Sequence, residues 1–118
     1  MASEFRNVIA WQKSVALAVR TCRVCDSFPR HEVFGLAAQM RRAAVSVPSN
    51  IAEGRGRNTA REYRQFLYQA RGSAYELETQ IEIARQLGYL EAAEAMTADV
   101  NEVQRLINGI IRSLDARV

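Results

Sequence analysis

Cys22 and Cys25 have the Cys-x-x-Cys spacing of a redox dithiol or of half a zinc site. The chain has no other cysteine and a single histidine, His31, so one subunit does not supply four zinc ligands. Both cysteines fall on the apolar seam of a helix, which favours two small buried hydrophobes; zinc shared between subunits is the remaining metal arrangement. His31 has no partner of known geometry and belongs to an exposed inter-helix turn. No nucleophile stands beside a base, and neither a metal cluster nor a phosphate loop is present. The chain is therefore not expected to be an enzyme, and no cofactor or metal is expected.

A more informative pattern runs through Arg57, Arg61, Arg64, Tyr68, Arg71 and Tyr75, whose alternating spacings of four and three place them along one strip of a helix. Guanidinium pairs with phosphate, and both guanidinium and tyrosine stack on bases. With Arg55, the residues Arg57, Arg61, Arg64, Tyr68 and Arg71 form a candidate surface for RNA or DNA. The strip then turns acidic at Glu78 and Glu82 before Arg85. Charge is segregated on a larger scale too. Residues 41–71 hold seven arginines against two glutamates, and residues 76–102 hold seven acids against one arginine. Two other readings stay open: a solvated face held by helix ion pairs, or basic and acidic halves of neighbouring subunits meeting head to tail in a ring.

Polar lines at Gln39, Arg42, Ser46, Ser49 and Glu53, and at Glu62, Gln69, Ser73, Glu76 and Gln80, lie beside the apolar seams. An interhelical network that includes Arg42, Asn50, Glu53, Glu76 and Gln80 is the expected use of these residues, because buried polar groups fix register.

Four elements must position these side chains. The seam Val8, Trp11, Val15, Ala18, Cys22, Cys25 predicts a helix over about 8–27, ended by Ser27-Phe28-Pro29. Leu36, Met40, Ala43, Val47, Asn50 and Gly54 predict a second over about 34–54, kinked or split by Pro48. Thr59 and Glu62 form a capping box that opens a third helix over about 60–87, with the seam Tyr63, Leu67, Ala70, Ala74, Leu77, Ile81, Ala84 and a stop at Gly88. Ala93, Met96, Val100, Val103, Ile107, Ile110 and Leu114 predict a fourth over about 91–115, without a good N-cap. The short connection after Gly88 demands a hairpin, so the expected fold is all-α: an antiparallel up-down four-helix bundle forming one domain, residues 1–118.

With 48% apolar and 25% charged residues, the 118-residue chain can bury one core without staples. No apolar run approaches the roughly 20 residues that span a bilayer, and MASEFRN does not resemble a signal peptide, so a cytoplasmic protein without membrane contacts is expected. Ile9, Leu17, Val24, Val45, Ile83 and Ile111 lie beside the seams and widen the apolar stripes. Such width suits further core or burial against another copy.

VIAWQK at Val8–Lys13, Phe28-Pro29, FGLAAQMRRAAVSVPSNIAEGRGR at Phe34–Arg57 and EYRQFLYQARGSAYELETQIEIARQLGYL at Glu62–Leu90 together resemble a bacterial family. Its members are the four-helix bundle proteins encoded in intervening sequences of large-subunit ribosomal RNA genes. The fourth helix matches only in character, and Cys-x-x-Cys is not part of the family pattern. The resemblance implies a homopentameric barrel with no established enzymatic activity. The related accessory variability protein of diversity-generating retroelements shares that architecture and binds nucleic acid and a reverse transcriptase through its basic surface. Residence in a ribosomal RNA gene does not by itself imply a ribosomal role, and partners of this chain could equally be another protein.

Overall fold

The computed structural model describes residues 2–116, with side chains from residue 4. Four long helices, α1 (Ile9–Cys25), α2 (Leu36–Arg55), α3 (Ala60–Gln86) and α4 (Ala93–Asp115), make up a helical bundle, preceded by a 3-10 segment at Ala2–Asn7. Among the described residues there is no strand. Each helix packs on its sequence neighbours, and α1 also meets α4, so the four surround one apolar core. The molecule measures 46 × 22 × 19 Å.

Local chemistry sets the helix ends. Thr59 accepts a hydrogen bond from the Glu62 amide at 3.1 Å, and its hydroxyl donates to the Glu62 carboxylate at 3.1 Å. The carboxylate thus serves the hydroxyl rather than the backbone amide at the cap, which differs from the reciprocal capping box expected. At the other end Gly88 takes φ +77°, a left-handed conformation that disfavours larger residues, and Tyr89 donates its amide to the Ala84 carbonyl at 2.9 Å. The α2 N-terminus has no side-chain cap at Gly35. Instead Glu32 reaches forward to accept from the Leu36 amide at 3.1 Å while Tyr89 donates its hydroxyl to the other carboxylate oxygen at 2.9 Å.

Pro48 does not divide α2, which runs unbroken from Leu36 to Arg55. Proline removes the amide that would serve the Ala44 carbonyl. Just beyond it, Ser49 donates to the Val45 carbonyl at 2.8 Å and Asn50 donates to the Ser46 carbonyl at 2.9 Å, adding side-chain donors where the backbone ladder is weakest. Gly54 lets α2 approach α3, since a Cβ there would fall 2.7 Å from Phe66 Cβ and 3.0 Å from Tyr63 Cδ1.

The α1 register differs from the expected seam. Its buried face is Ala10, Ser14, Leu17, Ala18, Thr21 and Cys25, whereas Val8, Trp11, Val15 and Cys22 are half-buried at the flank. Small residues admit close helix approach, and the fully buried hydroxyls of Ser14 and Thr21 are satisfied by the Trp11 and Leu17 carbonyls at 2.9 and 2.8 Å. Trp11 packs instead against Phe5, with ring centroids 5.2 Å apart. In α4 the buried residue is Ile111 rather than Ile110. Of the residues beside the seams, Leu17 and Ile111 join the core, while Ile9, Val45 and Ile83 are exposed.

Candidate nucleic-acid interface

Helix α3 meets α4 through a ladder of polar contacts. Arg64 pairs with Asp115 at 2.8 Å, Arg71 donates to Asn108 at 3.0 Å, and Gln104 donates to Glu78 at 3.3 Å. From Arg64 to Glu78 along α3, the partners on α4 run from Asp115 to Gln104. This register places the α3 strip beside a second set of arginines absent from the expected site, Arg105 and Arg112, three residues before and four after Asn108. Both are exposed and make no hydrogen bond or ion pair with any described residue. A spacing of seven could have marked them in the sequence. Only the pairing of Asn108 with Arg71, however, shows that they lie one turn to either side of a contact with α3.

The expected α3 residues have different fates. Arg61 is exposed and unpaired among the described residues. Tyr68 is 38% exposed, with the Arg71 guanidinium over its ring at 5.1 Å. Tyr75, seven residues on, is 51% exposed. Arg55 and Arg57 lie at the α2/α3 turn and are engaged within the chain, Arg55 with Glu4 at 3.5 Å and Arg57 with Glu53 at 2.9 Å and over the Phe66 ring at 4.7 Å. Exposed pairs of this kind contribute only about 0–1 kcal/mol, so phosphate can compete for these guanidinia.

The opposite half of the α3/α4 face is acidic. Arg85 and Gln86 hydrogen bonds hold the Glu82 carboxyl down at about 2, so it stays charged at any working pH. Part of the acidity of α4 is answered by α1, through Arg20 to Asp99 at 2.6 Å and Lys13 to Glu102 at 3.9 Å.

The polar residues between α2 and α3 come together only in part. Ser46 and Ser73 share a hydrogen bond at 2.8 Å, and Asn50 donates to the Ser46 hydroxyl at 3.0 Å. Arg42 and Glu76 are exposed along a cleft of about 390 Å³ that includes these serines. Glu53 turns to Arg57 instead, and Gln80 is buried with its carbonyl oxygen lacking a partner among the described residues.

Cys25 is buried, and burial pushes its thiol up to about 11; Cys22 is half-buried. His31 is exposed, 3.3 Å from the Tyr89 hydroxyl. No group of three or more metal-ligating side chains occurs among the described residues, and no described helix is long and apolar enough to cross a membrane.

A family model for the 23S rRNA-intervening sequence protein matches residues 6–109. No curated protein matches significantly. Among solved structures, the chain is similar to a protein of unknown function from the S23 ribosomal protein family of Bacteroides thetaiotaomicron VPI-5482. The two share 24% identity and a TM-score of 0.82, over 87% of this chain and 98% of that one, a likeness that shows the fold. The extent of the family match places this all-helical chain in the family of 23S rRNA-intervening sequence proteins.

Proposed function

We propose that the protein is a non-enzymatic, cytoplasmic, oligomeric binder of nucleic acid, acting through the α3/α4 face. The observation that carries this reading is that Arg64 and Arg71 contact α4 at Asp115 and Asn108, about one helical turn from Arg61, Arg105 and Arg112, which are unpaired among the described residues. The reversed pairing of α3 and α4 residues supports an antiparallel up-down bundle, and the family resemblance supports assembly into a pentamer. Val19 and Val45 lie exposed along an apolar groove of about 370 Å³ with Phe5, Trp11 and Val15, a surface suited to another copy. That groove also favours a second reading, a protein–protein adaptor whose arginines serve subunit contacts.

Fluorescence anisotropy against salt separates the two. Each phosphate contact adds about −0.7 to −0.9 to the slope of log K on log salt, so changing Arg61, Arg105 and Arg112 together to Gln should flatten it by about two to three. A protein that ignores both heparin and nucleic acid, yet holds its mass by light scattering, would refute the first reading in favour of the adaptor.

A further inference from the structure

Three features of the α3 outer face are unused by phosphate binding alone. Tyr68 and Tyr75 expose 38% and 51% of their surface, and seven helical residues separate them by about 10 Å along the axis. One face of the Tyr68 ring carries the Arg71 guanidinium at 5.1 Å, whereas Tyr75 makes no ring contact with any described residue. Between them on the same face, four residues after Tyr68 and three before Tyr75, stands Gly72. A Cβ at Gly72 would meet nothing within 4 Å, so packing within the chain does not require glycine there. Gly54 is the contrast, where a Cβ would strike Phe66. Mid-helix glycine weakens a helix, and its use at an open position points to something outside the chain that approaches the backbone closely.

We propose that this face takes single-stranded nucleic acid, with bases stacked on Tyr68 and Tyr75 across the bare helix surface at Gly72. The inference rests on the nucleic-acid reading above and adds the strandedness of the ligand. In a duplex the base faces are already stacked on each other, so the tyrosine rings would meet only phosphates and groove edges and would hold the cylinder off the arginines. In a single strand the faces are free, every base has one, and stacking on a tyrosine needs no particular sequence. Arg71, over one face of the Tyr68 ring and hydrogen-bonded to Asn108, backs that ring as a guanidinium–aromatic pair. Arg61, Arg105 and Arg112 then line the path of the phosphates.

The test is anisotropy at one salt concentration with labelled oligo(dT), oligo(rU) and a duplex DNA of equal length. The expected result is single-strand binding at least about tenfold tighter than duplex, on whichever sugar. Tyr75→Ala and Tyr68→Ala should each weaken single-strand binding about five- to hundredfold and barely alter duplex binding, while Tyr75→Phe retains it and Tyr75→Leu does not. Both tyrosines are exposed, so unchanged helical circular dichroism is expected of all four variants. Equal binding of duplex and single strand, or Tyr75→Ala with unaltered single-strand affinity, would overturn the inference and leave the nucleic-acid reading standing. Binding to none of the three would overturn both. A Tyr75→Ala protein whose assembly mass falls would assign the ring to a subunit contact and overturn the inference as well.

Discussion

Replacing Gly72 with alanine should stabilise the protein. The position lies inside the 27-residue helix α3, its surroundings are solvent, and the added methyl meets no atom within 4 Å. What remains is backbone entropy. Alanine restricts the unfolded chain and favours the helix by about 0.4–1 kcal/mol, with nothing set against it in the folded state. For a domain of this size that corresponds to a rise in Tm of about 2–5 °C. Urea unfolding followed by circular dichroism measures the free energy, with the slope against urea expected to stay constant. Gly54→Ala is the matched control. There the methyl would sit 2.7 Å from Phe66 Cβ and 3.2 Å from the Tyr63 carbonyl, so the same chemical change should lower stability, by about 1–3 kcal/mol. If Gly72→Ala lowered the midpoint as Gly54→Ala does, the outer face of α3 would be packed against something in the native protein, and the picture of an open face would be wrong.

Thiol chemistry and acid stability give two further expectations. With its thiol near 11, Cys25 is thiolate in only about one molecule in a thousand at pH 8 and is buried besides. A disulfide reagent should therefore titrate one thiol, Cys22, in the native protein and the second only after unfolding; rapid reaction of both would contradict the burial. Glu32 is held below its ordinary 4.5 by the Leu36 amide and the Tyr89 hydroxyl. A depressed carboxyl stabilises the fold above its unfolded value and loses that contribution as pH falls through the folded one. Glu32→Gln should therefore lower the melting temperature at pH 7 and flatten its fall below about pH 4.5, whereas melting curves parallel to those of the parent at every pH would rule this out.

The elements were more legible in the sequence than their faces. Thr59 with Glu62 and Gly88 marked the ends of α3 because caps are local chemistry, readable without knowing what the helix packs on. The α1 face was misread because large apolar residues dominate a periodicity, while close helix packing selects small ones. Ala10, Ser14 and Thr21 turned inward, and the buried hydroxyls found carbonyls on their own helix, a solution invisible in an apolar pattern. Leu36 and Glu32 form another such case: a side chain four residues upstream supplies the cap that Gly35 lacks. On the candidate site, the α3 arginines announced themselves by spacing. Arg105 and Arg112 did not, since two arginines on the outer face of a helix stand out only once the contact of Asn108 with Arg71 fixes which neighbour they lie beside.

The change of sign along α3 gives the face a finite footprint. From Arg61 to Tyr75 the helix advances about 21 Å, room for about six nucleotides at a stacked spacing of 3.4 Å. Past that point Glu78 and a Glu82 that stays ionised would repel the next phosphates of a strand bound as proposed. On the proposed reading a strand would not slide along the bundle; it would enter a segment of fixed length and be turned away at its end. Longer strands would then be counted out in units, one protomer per segment, and the proposed ring of protomers would act as a ruler whose divisions are set by where arginine gives way to glutamate.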